Sequence, residues 1–277
     1  MPLYDLSYRR FEGPRTSRFH RSFALARSAA SLLLRRRLFL LLLAVCWIPA
    51  VVRAVQIYVA RQFPGAPDFF TITPETWRDF LGQQVLFLPV VLVSLASGAS
   101  AIASDFASGA FTIYLSKPIS RFDYLLGKAM PIAGAVSAVT LAPALALLLL
   151  HLSLAPDFEL LSKAPWLPLA VTAYSLLLAL YFTLSVLAVS SLCRSGRVAG
   201  AGFAALVFGS EIVARTATSR VFGAAGFPSF NGSAIDAGRW FFGGGSTAAA
   251  PLVFMIGVIA LSGLVLDRRL RSGEGAQ

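Results

Sequence analysis

Six apolar runs punctuate this chain, at 38–57, 83–103, 129–150, 166–192, 198–214 and 251–266. A bilayer hydrocarbon core of about 30 Å takes about twenty helical residues to cross. Each run therefore reads as a membrane span, the fifth being rather short. The expected fold is an all-α integral membrane protein with six transmembrane helices. Residues 1–37 precede the first run and residues 267–277 follow the last. Pro49 is expected to kink the first span. Pro131 and Pro143 lie in the third, where neighbouring helices can satisfy the carbonyls that proline leaves free. Ala96, Ser100 and Ser104 recur every four residues in the second span, and Gly196 and Gly200 do so at the start of the fifth. Small residues at that spacing let helices approach closely in lipid.

The segments between the runs differ in character. From Ser17 a helix is expected, with Phe19, Phe23, Ala26, Ala30 and Leu33 on one stripe and Arg18 and Arg21 off it. That pattern suits an interfacial helix, the plainer alternative being a basic tail that only sets orientation. A short surface helix is expected after Thr73-Pro74-Glu75. His151, at the outer end of the third span, is expected to meet headgroups. Residues 216–250, with Pro228, Asn231, Asp236 and a run of glycines and aromatics, suggest contact with the outer bilayer face through short re-entrant helices.

The stretch from Ser108 to Lys128 is a polar and amphipathic island between two apolar runs. It predicts one short helix, Ile119 to Leu126, with Pro118 at its start and Gly127 at its end. Ile119, Phe122 and Leu125 share a face, while Ser120, Arg121 and Asp123 lie elsewhere around it. A loop that merely joins two spans needs no such helix. The alternatives are a loop lying on headgroups and a helix that docks in a groove on a soluble partner.

Composition sharpens this picture. Of 277 residues, 57% are hydrophobic and only 13% charged, about half the usual quarter for soluble domains. The net charge of +11 does not point to nucleic acid, because the arginines sit beside apolar runs, as orientation signals do. One side holds Arg9, Arg10, Arg15, Arg18, Arg21, Arg27 and Arg35 to Arg37, with the 108–128 stretch, the Arg194/Arg197 turn and the tail. The other holds only Arg61, Arg78, Lys163, Arg215, Arg220 and Arg239. The positive-inside rule thus puts both termini and the 108–128 stretch in the cytoplasm. The two cysteines, Cys46 and Cys193, give neither a disulfide framework nor a metal spacing.

Catalytic patterns are missing from the sequence. There is no GxxxxGK[ST], HExxH or GxSxG, and the two histidines, His20 and His151, fall at opposite membrane faces. No enzymatic activity is expected of the chain itself. Among carboxylates, Glu211 comes nearest to the inside of a span, four residues before Arg215. The two are a candidate pathway pair if they lie in the membrane, or an interfacial ion pair if the span ends near Gly209; the shortness of the run favours the interface.

The residues Gly109, Leu115, Ser116, Lys117, Pro118, Ile119, Ser120, Arg121, Tyr124, Gly127 and Lys128 carry a resemblance. In order and spacing they resemble the first cytoplasmic loop of ABC-2 type transporter permeases. The resemblance implies a permease subunit of the bacterial cytoplasmic membrane, working with a second permease chain, identical or related, and two copies of a P-loop ATPase subunit. ATP and Mg²⁺ would sit on that ATPase, and this chain would bind no cofactor. It makes Lys117, Pro118, Ile119, Ser120, Arg121, Phe122, Asp123, Tyr124 and Leu125 a cytoplasmic coupling helix between spans two and three. Phe122 and Leu125 would be its buried anchors, with Arg121 and Asp123 making polar contacts. Export is the implied direction. An alternative is a non-transporting scaffold that passes ATPase-driven force to an extracytoplasmic partner. A membrane enzyme of lipid metabolism is disfavoured by the missing catalytic groups.

Overall fold

A computed structural model describes residues 18–62, 80, 84–110, 120–154, 164–217, 228–242 and 249–274. The expected surface helix after Thr73, and Lys117, Pro118 and Ile119, lie outside these residues. Among the described residues the chain is helical, without strands. The helices are α1 (Arg18–Leu34), α2 (Arg37–Cys46), α3 (Ile48–Gln62), α4 (Gln84–Gly98), α5 (Ala103–Ala107), α6 (Arg121–Val139), α7 (Leu141–Leu154), α8 (Leu167–Leu192), α9 (Gly196–Ala217), α10 (Phe230–Phe241) and α11 (Ala249–Glu274). Among the described residues six helical stretches are long and apolar enough to cross a membrane: Arg37–Ala60, Phe87–Ala107, Arg121–Leu154, Leu167–Leu192, Gly196–Ala217 and Ala250–Arg271.

Proline writes the breaks within two of these spans. The first span is interrupted at Trp47, between α2 and α3. Pro49 lacks an N–H and its ring collides with the carbonyl four residues back, so the helix stops and restarts just ahead of it. The third span is interrupted in the same way at Thr140, three residues before Pro143. Thr140 caps the break by donating both its N–H (3.0 Å) and its hydroxyl (2.9 Å) to the Val136 carbonyl. Pro131, by contrast, sits inside α6 without interrupting it. The indole of Trp47 donates to the Ala138 carbonyl at 2.9 Å, which ties the two broken spans together.

The fourth span is the hub. Buried residues make up 67% of its most apolar stretch, against 17% for the first and sixth. Tyr174, Tyr181, Phe182 and Leu187 of α8 are fully buried, and spans two, three, five and six pack around this helix. Serines on the hub satisfy backbone elsewhere. Ser190 accepts from the N–H groups of Ile102 and Ala103 and donates to the Ala99 carbonyl, where α4 gives way to α5. Of the small residues expected to pack span two, Ala96 and Ser104 face outward, whereas Ser100 meets Gly196 of α9, where an added Cβ would come within 2.8 Å of the Ser100 Cβ. His151 lies in the interior, 2% exposed, and not at the headgroups.

Candidate functional site

The first turns of α6 are held from several sides. Ser120 is the N-cap, and its hydroxyl accepts from the Asp123 N–H at 3.1 Å. Asp123 returns the contact, its Oδ2 accepting from the Ser120 N–H (3.2 Å) and hydroxyl (2.7 Å). This capping box fixes where the helix begins, worth about 1 kcal/mol. The other carboxylate oxygen of Asp123 accepts from the Ser22 hydroxyl of α1 at 3.1 Å. A carboxylate this buried needs such partners to be tolerated at all.

The short helix expected to end at Gly127 does not end there. α6 runs on to Val139 as one helix with the third span. Gly127 serves a close approach instead: a Cβ built on it would lie 2.6 Å from Leu25 of α1. The glycine signal was a packing signal, and α1 lies directly against the start of α6 because of it.

One turn further along, Tyr124 is fully buried and its hydroxyl donates to Asp105 Oδ2 at 2.7 Å. The Lys128 ammonium lies 2.7 Å from the same oxygen, with both side chains largely covered. It also lies 5.7 Å from the centre of the Tyr124 ring. Asp105 belongs to α5, so this triad bolts the end of span two to the start of span three. Tyr124 packs in a small apolar cluster with Leu270 of α11, flanked by Leu25, Phe106 and Leu125. Arg269, next to Leu270, donates to the Ser191 carbonyl of α8 at 3.2 Å and lies 5.9 Å from the Phe106 ring centre. The start of α6 is thus joined to α1, α5 and α11, and through Arg269 to the end of α8.

These contacts sort the expected coupling residues. Asp123 and Tyr124 are buried within the chain, and Leu125 packs against the Tyr124 cluster and the main core. Ser120 is exposed but occupied as the cap. Arg121 is half-buried. Among the described apolar members Phe122 alone stands out, 68% exposed. Asp105, Ser22 and Leu270 were not singled out from sequence. An acid closing one apolar run and a lysine opening the next is the signal that could have found the first of them.

The fifth span is not short and does not end near Gly209, contrary to what its apolar run suggests: α9 continues past Glu211 to Ala217, so Glu211 and Arg215 lie within the span helix. Glu211 Oε1 is 3.0 Å from Arg215 Nε, and its Oε2 accepts from the Ser229 hydroxyl at 2.8 Å. Ser229 caps α10, accepting from the Gly232 N–H at 2.9 Å. Ser210 accepts from the Phe230 N–H at 3.1 Å. So Ser210 and Glu211 together hold the entrance of α10. Two hub tyrosines seize its carbonyls: Tyr181 donates to Phe230 at 3.2 Å and Tyr174 to Ala234 at 2.8 Å. The Phe230 ring stacks on Tyr181, centres 4.3 Å apart, and meets Phe182 and Phe203 edge-on. Tyr181 lies about 21 Å along α8 from Leu167 at 1.5 Å per residue, so α10 starts deep among the spans and runs back outward.

Among the described residues no group of histidine, cysteine and carboxylate side chains could hold a metal ion. No curated relative matches the chain. The family model for ABC-2 family transporter proteins matches residues 23–236, which takes in most of α1, five of the six spans and the first half of α10. Six membrane-crossing helices and a match over most of the chain lead to one conclusion: this multi-pass membrane protein belongs to the ABC-2 transporter family.

Proposed function

We propose that this chain is the permease subunit of an exporter, driven by ATP hydrolysis on a separate P-loop ATPase that docks at Phe122. ATP and Mg²⁺ sit on that ATPase, in two copies, and two permease chains pair above them. Both termini and the start of α6 then face the cytoplasm, as the excess of arginine on that side supports.

The observation that carries this reading is the exposure of Phe122. A large aromatic side chain projects at the end of a helix whose neighbouring residues are committed inward. An exposed aromatic on a rigid mount is the usual form of an interface anchor. The bolts behind it supply the other half of coupling, because a push on Phe122 reaches spans two, three and six together. Pairing of two permeases is supported by the first span, where Leu38, Leu41, Val45, Ile48, Val52 and Val55 are each more than half exposed. Their alternating spacing of three and four residues is that of a helix–helix seam.

Phe122→Ala tests the docking role. Loss of an anchor of this type costs about 2 kcal/mol or more. The variant is expected to extract and purify as the wild type does, yet to lose its ATPase on co-purification and to lose ATP-driven transport. Full retention of the ATPase by Phe122→Ala overturns the docking role. Retained ATPase with no substrate moved by the wild-type pair points to the force-transmitting scaffold.

A further inference from the structure

A groove lies between α1, α2 and α6, on the side of the molecule where the arginines gather. It encloses about 460 Å³, within the roughly 300–1,000 Å³ of small-ligand sites. Phe23 and Ala30 of α1 and Phe39 and Leu43 of α2 line two of its sides. The third is the α6 face from Met130 to Ala138. That face is about 12 Å long at 1.5 Å per residue, close to the roughly 15 Å depth of one leaflet. Ala138 is also where the Trp47 indole bridges the first and third spans, at 2.9 Å.

The lining is apolar apart from Arg27. At the corner where α1 turns into α2, Arg35, Arg36 and Arg37 are all exposed. Among the described residues none of these four guanidinium groups has a carboxylate within ion-pair distance. A slot of leaflet depth, apolar along its length and cationic at its rim, is complementary to an acyl chain ending in a phosphate headgroup. We propose that this groove binds one anionic phospholipid, its chain along Met130–Ala138 and its phosphate against Arg27 and the Arg35–Arg37 corner. A second copy of the chain fits the rim poorly, because it would bring arginines to arginines. The preceding stretch of this chain is itself basic, with Arg9, Arg10 and Arg15. Each basic residue near an anionic lipid surface adds about fivefold to binding, which makes the site selective against zwitterionic lipid.

Gly134 provides the test. A Cβ built on it meets nothing within 4 Å, although the residue lines the groove. Gly134→Leu therefore fills the slot without pressing on the packed helices. The full chain, purified in mild detergent with the subunits it retains, is titrated with phosphatidylglycerol, phosphatidylcholine or inorganic phosphate and read by native mass spectrometry. The wild type is expected to hold one phosphatidylglycerol per chain, about tenfold in preference to phosphatidylcholine, and inorganic phosphate is not expected to compete. Gly134→Leu should lose that lipid with its melting temperature in detergent unchanged. Arg27→Gln, an exposed change that leaves the fold alone, should keep a lipid but lose about fivefold of the preference. Equal retention of both lipids by the wild type, displacement by inorganic phosphate, or undiminished phosphatidylglycerol on Gly134→Leu would each overturn the proposal. So would a Gly134→Leu chain that falls apart from its partner permease while its lipid content stays the same.

Discussion

Asp105 and Glu211 are both carboxylates on a span helix, each paired with a basic side chain and each accepting from a hydroxyl. They sit at different levels of the bundle, Asp105 where span two ends and Glu211 at the deep entrance of α10, and they differ in their surroundings. Asp105 is buried, and Lys128 and Tyr124 converge on a single one of its oxygens. Glu211 divides its oxygens between Arg215 and Ser229, and Arg215 is 71% exposed. The first arrangement makes a rigid joint, since removing either charge strands the other in a place largely closed to water. The second makes a staple, which orients α10 and tolerates the loss of one contact. A joint is what a coupling segment needs if force applied at Phe122 is to arrive undiminished in the spans. A staple suffices to hold a helix that the hub tyrosines already grip.

The largest effect should come from Lys128→Met. Stranding a buried carboxylate costs about 3–5 kcal/mol, so thermal unfolding in detergent should show a severe loss of stability. Adding Asp105→Asn to that change removes the second charge while keeping an acceptor for Tyr124, and most of the loss should return. A double variant as unstable as the single would show that Asp105 and Lys128 are not energetically coupled, and the contrast between joint and staple would fail.

Next in size is Gly127→Ala. A methyl group there presses on Leu25 at 2.6 Å, and overpacking of this kind costs about 1–3 kcal/mol. Leu25→Ala in the same chain should relieve it. If Gly127→Ala is neutral alone, α1 is free to shift and is not part of the joint.

That pair of residues also shows where sequence reading reached and where it stopped. The spans were legible because runs of about twenty apolar residues have few alternatives in a chain this poor in charge. Pro49 declared its break, since a missing N–H acts locally. Gly127 was misread for a physical reason: glycine marks a helix end when its φ turns positive and marks an interior contact when a neighbour needs its space, and the sequence does not separate the two. Asp105, Tyr124 and Leu270 meet through tertiary packing of three helices, which no local spacing encodes. The Glu211–Arg215 pair was legible, being one turn apart, whereas Ser229, which completes the staple, lies 18 residues away in the chain. His151 has the chemistry of a headgroup contact, and only the packing of α7 shows it inside.

Ser229→Ala should cost about 1 kcal/mol, the usual worth of an N-cap hydroxyl, together with its contact to Glu211. Hydrogen exchange of the α10 amides should rise at Gly232, while the α6 amides stay as protected as before. Spread of the effect to α6 would mean that the two regions are one cooperative unit and that joint and staple do not differ.

Arg215→Ala should do least. Arg215 stands in the last turn of α9, where a long side chain carries its charge out toward the headgroups. Pairs so exposed contribute about 0–1 kcal/mol, and Glu211 keeps its bond to Ser229. A shift of the melting transition within that range identifies the pair as interfacial, and Glu211 then works only as a staple for α10. A loss as large as that from Lys128→Met would mean that Glu211 lies in hydrocarbon, where a carboxylate without its cation is not tolerated. Glu211 would then belong to a polar pathway through the bundle, and the entrance of α10 would be a second joint.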